Sequence, residues 1–113
     1  MGAIHAFEEA MYANRLFVTA RLRAKTGMEK MVASELAALI APTRRELGCY
    51  MYEIHQSQDT PTLFVLHEQW RSKDDFDAHF KMPYLERFVH AAESLLDGPM
   101  EIVFLNRLEP EAD

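Results

Sequence analysis

Over residues 15–25 apolar and polar positions alternate, with Leu16, Val18, Ala20 and Leu22 on one side and Phe17, Thr19, Arg21 and Arg23 on the other. That is the period of a β-strand. Gly27 marks a turn, and beyond it Met28, Met31, Val32, Leu36, Leu39 and Ile40 recur at three- and four-residue steps while Glu29, Lys30, Ser34 and Glu35 face away. This spacing predicts an amphipathic helix. Pro42 is expected to kink or close it, with Arg44 and Arg45 near its negative pole. After Gly48, residues 49–55 read as a strand with Tyr50 and Tyr52 on one face. Residues 56–62, containing Asp59 and Pro61, read as a hairpin loop into a strand over 63–70.

A short helix follows at once. Ser72 with Asp75 three residues on makes a capping-box-like start, and Phe76, His79 and Phe80 then share one face, directing the imidazole inward. Pro83 can open a further helix, whose apolar face is Leu85, Phe88, Val89, Ala92 and Leu96 and which Gly98-Pro99 ends. Residues 100–108 are apolar nearly throughout and predict a strand buried on both faces. The order β-α-β-β-α-β is that of an α+β, ferredoxin-like split βαβ fold with a four-stranded antiparallel sheet. With both helical layers on one side, the other sheet face needs a cover. A second copy is the simplest one, giving a homodimer through the sheet faces.

The chain has 113 residues, enough for one core, and its 49% hydrophobic and 27% charged residues fit a globular domain. Residues 1–14 carry Ile4, Phe7 and Met11 at helical spacing and read as an N-terminal arm, 15–110 as the folded domain and 111–113 as a tail. The net charge of −6 and the scattered Lys and Arg residues argue against nucleic acid as a partner. No apolar run approaches the roughly 20 residues that span a bilayer, and no basic segment leads into a hydrophobic one at the N-terminus, so a cytoplasmic protein without membrane contact is expected. The single cysteine, Cys49, excludes an intramolecular disulfide and fits a reducing compartment.

Candidate chemistry concentrates around residues 68–88. Glu68 shares a strand face with Phe64, Leu66 and Trp70. A desolvated carboxylate there would have a raised pKa and serve as a general base, the alternative being an ion pair with Arg21 or Arg71 or a helix cap. His79, on an apolar helical face, is the most plausible proton carrier. Trp70 is a core anchor or a substrate platform, and Tyr52, Tyr84 and Phe88 are pocket candidates. His55, His67 and His90 form no metal-binding pattern, and no phosphate cradle or dinucleotide fingerprint occurs, so neither a metal nor another cofactor is expected.

Over about residues 15–110 the sequence resembles the antibiotic biosynthesis monooxygenase family of the dimeric α/β-barrel group, and within it the quinol monooxygenase type. The resemblance is carried by Glu46, Gly48 and Tyr52; by Glu68-Gln69-Trp70 and Ser72; by His79, Pro83 and Phe88; and by the closing strand from Glu101 to Pro110. Relatives include cofactor-free oxygenases of aromatic polyketides and quinols, haem-degrading enzymes and an isomerase-like enzyme of a phosphorylated sugar. Three departures stand out, of which the first loosens a turn without touching chemistry and the other two bear on activity. Glu46-Leu47-Gly48 stands where the family often has Glu-Pro-Gly, and Tyr84 stands where quinol-type relatives commonly have His. Thr19, Ala20 and His79 stand where haem-degrading relatives use Asn and Trp, which leaves His90 as the one residue matching their iron-binding His.

The resemblance implies a cofactor-independent monooxygenase acting with O₂ on a small hydroxylated aromatic or quinol. In it, His79 or Glu68 would move the proton and Trp70, Tyr84, Phe88 and Tyr52 would hold the ring. An isomerase or other proton-transfer enzyme of a phosphorylated metabolite is the first alternative, requiring a basic pocket that only Arg21, Arg23 and Arg71 would supply. A non-catalytic dimeric ligand-binding protein is the second.

Overall fold

A computed structural model describes residues 15–111; the expected N-terminal arm lies outside them. The elements are β1 (Leu16–Arg23), α1 (Glu29–Arg44), β2 (Cys49–Gln56), β3 (Leu63–Trp70), α2 (Lys73–His79), α3 (Pro83–Leu95) and β4 (Glu101–Leu105). The strands form one antiparallel sheet in the order β2-β3-β1-β4. This is the α+β, ferredoxin-like arrangement that the alternating and helical periods predict.

Strand alternation sends Val18, Ala20 and Leu22 of β1 and Phe64, Leu66, Glu68 and Trp70 of β3 to the side on which the helices pack, and all seven are buried. From α1 the core takes Val32, Leu36, Leu39 and Thr43, a stripe at three- and four-residue steps. Leu85 and Phe88 of α3 and Leu96 beyond it close the main core, while Val18, Trp70 and Phe76 make a smaller cluster at the other end.

Four expectations require correction. Met28 and Met31 are exposed because the buried stripe of α1 is narrower than its apolar one, and Val89 likewise lies on the outer side of α3. Pro42 does not end α1, which runs on to Arg44; this close to the C-terminus the proline removes only one ladder bond. Tyr50 and Tyr52 do not share a surroundings: a β-bulge between Cys49 and Met51 leaves Tyr50 half-exposed under the Arg15 guanidinium, 4.2 Å from its ring centre, while Tyr52 is buried. Finally, β4 is an edge strand paired to β1, and all five of its residues are exposed rather than buried on both faces. Its apolar run is left part-exposed among the described residues.

Candidate active site

In register, Glu68 lies between Val18 of β1 and Tyr52 of β2, and it forms no ion pair among the described residues. Its Oε1 accepts a 2.9 Å bond from the Trp70 indole N–H, two residues along the same strand face. Burial disfavours the charged carboxylate most. The indole bond opposes that effect and the Glu46 charge adds to it, leaving Glu68 pushed up to about 7. The expected ion pair does not form: Arg21 projects to the opposite sheet face, and Arg71 makes two bonds to Asp75.

His79 is positioned by a chain of local interactions. The Ser72 hydroxyl caps α2 by accepting from the Asp75 N–H, so the helix starts directly at the end of β3. Two turns on, His79 is buried with its ring centre 4.9 Å from that of Trp70, and 5.6 Å from those of Tyr52 and Phe80. Its Nδ1 lies 2.7 Å from Glu46 Oε2. Burial lowers the imidazole pKa by more than the Glu46 bond and charge raise it, which favours the neutral ring. Its Nε2 makes no hydrogen bond to a described residue.

Glu46 was legible only as part of the resemblance; its place in the site was not. It follows the C-terminus of α1, where the helix pole disfavours a negative charge. An acid at that end, just before a turn glycine, was the available signal. The turn is fixed by Gly48, whose φ of +87° suits glycine, and by the Arg71 N–H donating 2.7 Å to the Gly48 carbonyl. The Tyr84 hydroxyl, from the first turn of α3, also donates to Glu46 Oε2 and lies 3.4 Å from the Pro42 carbonyl. Burial, with the Glu46 bond and charge, raises the Tyr84 phenol well above its usual range; burial foremost does the same for Tyr52. Thr43, fully buried, stands beside both phenols without a hydrogen bond of good geometry.

Glu68, His79, Tyr52 and Phe88 meet at a cavity closed by Leu39, Leu66, Leu85 and Phe80 and, on the β4 side, by Met100 and Ile102. Its volume is about 20 Å³, room for one water molecule. Two expected pocket residues do not line it. Trp70 is wholly buried and acts on the site through its bond to Glu68, and Tyr84 acts through Glu46. Ile102 belongs to the exposed β4 edge of the sheet. Cys49 is an inert thiol, pushed up to about 11 by burial and then by the charges of Glu46 and Glu68.

No group of three or more His, Cys, Asp or Glu side chains able to hold a metal occurs among the described residues, and His90 lies on the exposed side of α3 beside Glu86 and Arg87. The basic pocket that a phosphorylated substrate would need is not assembled: Arg21 and Arg23 face away from the cavity and Arg71 is engaged by Asp75. No described helix is long and apolar enough to cross a membrane.

Residues 15–91 match the family described as antibiotic biosynthesis monooxygenase. The chain is 32% identical over 92 residues to a protein of Mycobacterium tuberculosis named "Putative monooxygenase Rv0793", covering 81% of this chain and 90% of that protein. The solved structure of Rv0793 superposes with a TM-score of 0.79 over 88% of this chain and all of the other. That of PA3566 from Pseudomonas aeruginosa gives 0.81 at 34% identity, covering 85% of this chain and 96% of that one. A match over more than half the chain, with two relatives of the same fold near one-third identity, has one meaning: the chain belongs to the antibiotic biosynthesis monooxygenase family.

Proposed function

We propose that the protein is a cofactor-independent monooxygenase that oxidises a small hydroxylated aromatic or quinol with O₂. The observation that carries this reading is a buried His79, its pKa lowered by burial and its Nε2 making no hydrogen bond to a described residue, sharing an apolar cavity with a Glu68 pushed up to about 7. Removing a proton from a quinol gives an electron-rich anion that can pass an electron to O₂. The protein then has to supply a base, an orientation and a dry site. His79 takes the phenolic proton, and the anion and O₂ combine at a ring carbon as a peroxide, which Glu68 protonates. Glu68 then removes the hydrogen on that carbon as the O–O bond breaks to leave a ring carbonyl, and the departing hydroxide takes the proton from His79 and leaves as water, with Tyr52 and Phe88 flanking the ring.

Family membership supports oxygen chemistry, and the lack of a basic pocket weighs against a phosphorylated substrate. The protein is further proposed to be a cytoplasmic homodimer whose open sheet faces meet, which would bury Val65, Val103 and Leu105.

The test is O₂ uptake by metal-chelated protein against a panel of quinols and hydroxylated polycyclic aromatics. Wild type should exceed substrate autoxidation, and His79→Ala and Glu68→Gln should each lower kcat by about 10²-fold or more. Uptake no greater than autoxidation across the panel, or full turnover in both variants, overturns the assignment.

A further inference from the structure

We propose that Glu46 is a positioning residue that fixes the tautomer of His79, holding its proton on Nδ1 and leaving the Nε2 lone pair as the base of the site. The inference rests on the oxygenase reading only for the use made of that lone pair. Glu46 lies 33 positions before His79 and is not among the residues lining the cavity, so it acts through another side chain.

The geometry allows Glu46 few other roles. Its side chain is 5% exposed, beyond the C-terminus of α1, where no helix dipole offsets a negative charge. Its Oε2 faces two groups, His79 Nδ1 at 2.7 Å and the Tyr84 hydroxyl. As a carboxylate Glu46 can only accept, and the imidazole then presents an N–H at Nδ1, leaving a neutral ring with its lone pair on Nε2. Tyr84, donating to the same oxygen, holds the carboxylate toward the ring from α3.

The backbone around Glu46 is built for this contact. Gly48 lies against α2 one helical turn before His79: a Cβ there would fall 2.5 Å from Asp75 Cγ. The Arg71 N–H bond to the Gly48 carbonyl anchors the same turn to the end of β3. The loop after α1 is thus locked to the helix that carries the imidazole. A one-oxygen acceptor in that loop aligns a ring whose aromatic neighbours are Trp70, Tyr52 and Phe80.

The tautomer is read directly by long-range ¹H–¹⁵N correlation spectra of the ¹⁵N-labelled full chain at neutral pH, with His79 assigned by loss of its signals in His79→Gln. Wild type should show a pyrrole-type Nδ1 and a pyridine-type Nε2. Glu46→Met, similar in volume but without an acceptor, should move the proton to Nε2 or average the two nitrogens. Tyr84→Phe, which keeps the carboxylate, should retain the wild-type pattern.

A wild-type proton on Nε2 overturns the inference, whatever the variants do, and so does an unchanged Nδ1–H in Glu46→Met. In a turnover assay Glu46→Met should lower kcat by about 10²-fold with KM changed less than about threefold. Absence of turnover in wild type would defeat the oxygenase reading alone, since the tautomer stands or falls by the spectrum.

Discussion

Glu68 and His79 press the stability of the protein in opposite directions as pH changes, because burial resists the charged form of each. Glu68 has a folded-state pKa of about 7 against an ordinary 4.5, so its contribution is fully present below pH 4.5 and is lost as pH rises to about 7. Converted by linkage, the loss is about 3 kcal/mol. His79 is shifted downward, so its contribution is present above the ordinary imidazole value and is lost as pH falls through its folded one. Glu68→Gln, whose amide oxygen can still accept from Trp70, should abolish the loss between pH 4.5 and 7 and so unmask the His79 slope. Urea denaturation of both proteins across pH 4.5–8 checks this; parallel pH profiles would contradict it. Trp70→Phe removes the donor that favours ionised Glu68, and should move the carboxyl higher still, as read by side-chain carbon chemical shifts.

Two short pieces of backbone set the site at the scale of elements: the turn from α1 into β2 and the start of α2. Gly48→Ala introduces a side chain at a φ of +87° and against an Asp75 carboxylate pinned by Ser72 and Arg71. It should cost about 2 kcal/mol or more in chemical denaturation and carry Glu46 away from His79. Ser72→Ala removes the cap of the seven-residue α2 and should cost about 1 kcal/mol. A loss confined to overall stability, with the His79 spectrum unchanged, would mean that α2 is held by the packing of Phe76 and His79 rather than by its cap.

For the whole molecule, the exposed residues of β4 are the feature to explain. Ile102, Val103, Phe104 and Leu105 are 37–49% exposed on a strand that pairs on one side alone among the described residues. A homodimer through the sheet faces would cover Val103 and Leu105 together with Val65. Light scattering at micromolar concentration should give twice the chain mass, and Val65→Arg on the open face of β3 should give a folded monomer. A wild-type monomer would remove the dimer proposal and leave the apolar edge as a surface for another partner.

The strand and helix periods were enough to determine the element order, because side-chain alternation in β1 and β3 and the Val32, Leu36, Leu39 stripe of α1 are local properties of the chain. The Ser72 cap and the inward face of His79 were legible for the same reason. So was the resemblance to the family, which contained Glu46 without indicating its role. Tertiary structure alone decided that Glu46 meets His79 and Tyr84 across 33 and 38 positions, that Trp70 serves the site through Glu68, and that Arg21, Arg23 and Arg71 build no phosphate pocket. It also decided that the β-bulge separates Tyr50 from Tyr52, and that the last strand lies at the edge. A hydrophobic pattern states which positions avoid water. Which groups meet across the core, and which surface remains uncovered, depends on register and on the packing of distant segments, and no local period encodes either.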